Sequence, residues 1–100
     1  MNTKLNTMTK FEIDKQNTFM YGDSTHGNRL MTRAYWNLVV SIRDVGLFTK
    51  GISPNRHWRL KHVKEYFGIK GNKESIYKQL QVMLDEYKVE LGIYDESELN

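Results

Sequence analysis

"VKEYFGIKGNKESIYKQL", residues 63–80, decides how this chain folds. Val63 and Phe67 stand four apart, and Ile76 and Leu80 repeat the spacing, so each pair marks the apolar side of a helix. Gly68 follows the first pair, where a helix ends in a left-handed residue at least steric cost. Asn72 precedes the second pair, where a side-chain oxygen can cap the first free backbone N–H groups. The stretch therefore reads as helix, tight corner, helix, and the fold class as mainly α: a compact three-helix domain.

Working outward, the second helix of this pair is expected over 73–91, with Ile76, Leu80, Met83, Leu84, Tyr87 and Leu91 in one stripe. The first is expected over 54–67, because Ser53 can cap it and Pro54, the only proline, suits the first helical position. Its core side is Leu60, Val63 and Phe67, with Tyr66 at the edge, while Trp58, Lys61, His62 and Glu65 point away. A further helix is expected over about 28–46, since Leu30, Met31, Ala34, Leu38, Ile42 and Val45 share a face and Gly46 and Gly51 follow. Trp36, Val40 and Arg43 form a second stripe on it, which the domain's own hairpin, a second copy or a partner would cover. Before this helix, "KFEID" and "TFMYG" each alternate apolar and polar residues, the pattern of a short N-terminal β-hairpin turning at "KQN". Residues 1–9 read as a flexible N-terminus, 10–94 as one helical domain, and 95–100 as an acidic tail.

Composition narrows the class. One hundred residues with 39% hydrophobic content suit one packed domain. The absence of cysteine removes disulfides and thiolate metal sites. The longest purely apolar run is Leu38-Val39-Val40, far short of a membrane span, and the opening residues lack the apolar core of a signal peptide. A cytoplasmic protein without cofactor or membrane partner is the expectation.

Charge is unevenly spread. Residues 50–73 hold seven Lys and Arg against Glu65 alone, whereas residues 85–100 hold six carboxylates against Lys88 alone. Such local potential steers a polyanion more than the net charge of +3 does.

The opening stretch resembles helix-turn-helix DNA-binding domains, in which a glycine-apolar pair makes the corner and the next helix enters the major groove. It is also similar to the SAP family of helix-extended-loop-helix DNA binders. Gly68-Ile69, Gly71-x-Lys73 and the Ile76–Leu80 pair fill that pattern with a shorter loop. Both resemblances imply contact with DNA rather than RNA. From the residues themselves, Lys73 and Ser75 at a helix N-terminus offer a phosphate seat. Arg56, Arg59, Lys64, Lys70 and Lys78 supply further cations. Gln79 and Gln81 are amides able to pair with adenine. Trp58 and His62 would form a stacking platform on the outer face.

Catalysis finds little support. Asp23, Ser24 and His26 are neighbours in sequence, but capping explains the first two, and His57 and His62 lack metal-ligand spacing. Two non-catalytic functions stand: a regulatory DNA-binding protein using residues 54–81, or an accessory adaptor or inhibitor, of viral kind, docking on a larger protein. The second would use Trp36, Val40, Arg43, Trp58 and His62, and the apolar strip of Trp36 and Val40 also allows a homodimer.

Overall fold

A computed structural model describes residues 8–23 and 27–92. In chain order the elements are α1 (Lys10–Asp14), β1 (Thr18–Asp23), β2 (Gly27–Thr32), α2 (Arg33–Thr49), α3 (Leu60–Phe67) and α4 (Lys73–Leu91). The domain is mainly helical, with a two-stranded antiparallel hairpin near its N-terminus. α2 lies along α4, and α1 bridges α2 and α3. Leu38, Val45, Ile76 and Leu80 are fully enclosed at the centre, with Phe11, Ala34, Val63, Phe67 and Tyr87 around them. Each large apolar side chain so enclosed contributes about 1.5–3 kcal/mol.

α4 keeps the expected bounds because its signals agree. Asn72 caps it, accepting from the Ser75 N–H at 2.9 Å, and Gly92 ends it in a left-handed conformation. α3 likewise ends on Gly68 at φ 67°, where an added Cβ would lie 2.5 Å from Thr9 Cγ2. Only glycine meets both demands at this corner.

Three elements depart from the sequence reading. "KFEID" is a helix, not a strand. Thr9 Oγ1 accepts from the Glu12 N–H at 3.1 Å, as in the Thr-x-x-Glu start of a helix. Phe11 and Asp14, three apart, turn inward, while Ile13 stays 45% exposed, so the alternation of Phe11 with Ile13 was misleading. The hairpin is therefore β1 with β2, in the register Thr18↔Thr32 to Asp23↔Gly27.

That pairing takes residues 28–32 out of the helix expected there. α2 starts at Arg33, because Thr32 adopts an extended backbone and its Oγ1 accepts from the Tyr35 N–H at 3.0 Å. The same helix continues through Gly46 to Thr49. Gly46 serves packing: a Cβ there would lie 3.1 Å from Tyr77 Cε1, so its small size lets α2 approach α4.

α3 begins at Leu60, not Pro54. Ser53 Oγ donates to the Asn55 carbonyl at 2.9 Å, and Asn55 Oδ1 accepts from the His57 N–H at 2.9 Å. Side chains that could have capped a helix instead close a turn. Trp58 then packs on Phe48 with ring centroids 5.0 Å apart, which anchors the loop to α2.

A polar node lies inside the helical layers. Asp14, 2% exposed, accepts from Tyr66 Oη at 2.7 Å, Asn17 Nδ2 at 2.8 Å and Lys10 Nζ at 3.0 Å. Asn37 Nδ2 donates in turn to Tyr66 Oη at 2.9 Å, so the node ties α1, α2 and α3 together. Burial pushes the Asp14 carboxyl up, but the hydrogen bonds from Tyr66, Lys10 and Asn17 outweigh it and hold the group below its ordinary value. Burial raises the Tyr66 hydroxyl to about 12; the bond from Asn37 opposes this and the Asp14 carboxylate reinforces it.

Candidate nucleic-acid interface

The short helix α3, its glycine corner and the first turns of α4 hold up a cationic corner. Lys61, Lys64 and Lys70 surround a shallow depression of about 550 Å³ together with Glu65, Gly68 and Ile69. Lys78 lies beyond Ile69 on a second depression of about 360 Å³, shared with Gln79, Val82 and Met83. Lys61, Lys70, Lys78, Arg56 and His62 are exposed, and Lys64 is half-buried. Among the described residues neither Arg56 nor any of these lysines has an ion-pair partner; the salt bridges join Lys10 to Asp14, Lys15 to Glu12 and Glu90, and Arg43 to Asp44. Unneutralised like charges a few residues apart raise the local positive potential.

The loop that carries Lys70 is held from three sides. Gln79 Nε2 donates to the Lys70 carbonyl at 2.8 Å and to Ser75 Oγ at 3.0 Å. Gly71, at φ 134°, rests on Ser75, where a Cβ would come within 2.8 Å of the hydroxyl oxygen. Asn72 caps the helix that follows. The loop thus presents Lys70 from a braced backbone.

This bracing changes the roles expected of two residues. A primary amide has two N–H donors, and both of Gln79's are taken up by the loop, so the donor that a bidentate adenine contact needs is engaged. Gln81 remains exposed on α4. Ser75 Oγ accepts from Gln79, and the start of α4 already holds the Asn72 cap and the acidic Glu74. An anion there would meet an occupied terminus. Gln79 and Ser75 are loop-bracing residues in this geometry.

The remaining candidates separate into two groups. Lys73 is half-buried with its Nζ 5.4 Å from the Phe48 ring centroid, and Arg59 donates to the Arg56 carbonyl at 3.1 Å and to the Trp58 carbonyl at 2.9 Å. Both cations sit beside the Phe48–Trp58 contact, and Trp58 lies in the loop before α3. Of the platform expected of Trp58 with His62, Trp58 packs on Phe48 from the loop, while His62 stands exposed on the helix.

The second α2 stripe is partly covered. Trp36 is 40% exposed and meets Phe19 of β1 edge-on at 6.2 Å, Val40 is half-buried, and Arg43 is exposed and paired with Asp44 at 3.1 Å. The hairpin, one of the three expected covers, thus supplies part of the cover.

Sequence reasoning did not anticipate the Asp14–Tyr66–Asn37 node or the apolar ground around Ile69, Val82 and Met83. The Thr9–Glu12 spacing was the available signal for the first, since it makes "KFEID" a helix and turns Asp14 inward. Among the described residues no group of three His, Asp or Glu side chains is placed to hold a metal ion. No described helix is long and apolar enough to cross a membrane. The grouping of Asp23, Ser24 and His26 and the acidic residues 95–100 lie outside the residues whose side chains are described. No family model matches the chain, and no curated protein or solved structure matches it either.

Proposed function

We propose that this chain is a small non-catalytic nucleic-acid-binding protein that grips the phosphate backbone, duplex DNA being the preferred target. The observation that carries the reading is the set of lysines around one corner, Lys61, Lys70 and Lys78 exposed and Lys64 half-buried, none of them with an ion pair among the described residues. Lysine ammoniums act as point charges toward phosphate, and their binding gains from released counterions rather than from base identity. The engagement of Gln79 supports a sequence-tolerant mode over one that reads bases. α4 beyond Gln81 carries Asp85, Glu86 and Glu90, which favours approach by the loop and the first turns of α4, not by the helix along its length.

Retention of duplex DNA by the intact protein over a range of salt concentrations tests this. With about four cations engaged, log K should fall against log salt with a slope of about −3 to −4. Absence of retention at low salt on duplex DNA, single-stranded DNA and RNA alike would rule the reading out.

A further inference from the structure

The cationic corner has an apolar floor that phosphate contacts do not need. Ile69 lines both depressions: on one side with Val82 and Met83, on the other with Gly68 and the lysine stems of Lys61 and Lys64. Val82 is 54% exposed although it sits mid-helix in α4, a helix capped at both ends and packed on α2. Four ammoniums, from Lys61, Lys64, Lys70 and Lys78, rim this floor against the single carboxylate of Glu65. A floor of that kind inside a ring of one sign is complementary to a segment with apolar anchors on one side and carboxylates beside them.

We propose that the Ile69 groove docks an acidic, amphipathic helix of a partner protein. Its apolar side chains seat on Ile69, Val82 and Met83, and its carboxylates pair with Lys61, Lys64, Lys70 and Lys78. The braced loop favours this role, because Gln79 and Gly71 hold Ile69 and Lys70 in place before any partner arrives, which lowers the ordering cost of docking. The groove shares its lysines with the phosphate contacts proposed above, so such a segment and nucleic acid exclude one another. Docking itself stands on the apolar floor and does not rest on the nucleic-acid reading.

The test uses the full chain and a synthetic Leu–Glu peptide whose leucines follow helical i, i+3, i+4, i+7 spacing, with a scrambled peptide of equal composition as control. Fluorescence anisotropy should show the patterned peptide binding at least about tenfold more tightly than the scrambled one, the effect of seating one or two apolar side chains. Val82→Asn, which removes the apolar side chain without adding charge, should remove that difference while leaving the thermal melt and DNA retention unchanged. Lys64→Ala with Lys70→Ala should weaken peptide and DNA together. Equal binding of the two peptides, or indifference to Val82→Asn, overturns the proposal and leaves charge alone. Self-association that Val82→Asn abolishes, with no peptide binding to either form, assigns the groove to a second copy and overturns it equally. Because Val82 lies outside the phosphate-contacting set, loss of peptide docking and loss of DNA retention are separable results.

Discussion

Tyr66 and Lys64 stand two residues apart on α3 and meet opposite conditions. Tyr66 turns inward, donates to Asp14 and accepts from Asn37, and among the described residues no buried side-chain polar atom lacks a partner. Lys64 lies at the outer groove with Lys61 and Lys70, and none of the three has an ion pair among the described residues. Inside the fold polar groups are matched to one another, as burial demands. At the corner they are matched to nothing in the described structure, and like charges held close oppose folding slightly. The inner set explains stability, and the outer set is the one the proposed nucleic-acid contact would use.

The largest expected effect removes what both faces rest on. Leu80 is fully buried where α4 meets the core, so Leu80→Ala should lower unfolding free energy by about 2–5 kcal/mol. A chemical denaturation curve checks it, and an unchanged midpoint would place the core elsewhere.

A smaller effect isolates the inner face. Tyr66→Phe takes a donor from buried Asp14 and an acceptor from Asn37, and should cost about 1–3 kcal/mol. The node also predicts a pH window. Asp14's folded pKa lies below its ordinary value of 3.8, so its contribution is present above that value and lost as pH falls through the folded one. Tyr66's folded pKa is raised from 10.0 to about 12, so its contribution is complete below 10.0 and lost as pH rises toward 12. Melting temperature against pH should accordingly hold a plateau between these limits. Asp14→Asn should lower the plateau and flatten its acid edge, and an acid edge identical to that of the unaltered protein would contradict the assignment.

The contrast between these faces also marks what the sequence makes legible. α4 could be bounded from residues alone because the Asn72 cap and the stripe to Leu91 agree, and the corner at Gly68 followed from the same local logic. α1 escaped because five residues are too few to separate helical from strand periodicity, and Thr9 with Glu12 had to decide. The start of α2 escaped because Leu30 and Met31 fit the helical stripe, while pairing with β1 depends on a partner strand that periodicity cannot see. Ser53 and Pro54 imitated a helix start, and the tertiary contact of Trp58 with Phe48 accompanied a turn instead. At the corner, the cations were legible as composition. The capture of Gln79 by the Lys70 carbonyl and the apolar ground around Ile69 needed three dimensions, since each joins residues from different elements.

The smallest effect on stability belongs to the outer face, and there it carries the central claim. Lys64→Ala combined with Lys70→Ala should shift unfolding free energy by less than about 0.5 kcal/mol, as surface charges without partners do. In the same preparation, the slope of log K for duplex DNA against log salt should flatten by about 1.8, the loss of two phosphate contacts. That pairing of an unchanged melt with a flattened slope is the predicted result. An unaltered salt slope, in a variant that still folds, would contradict the assignment of this corner to nucleic acid.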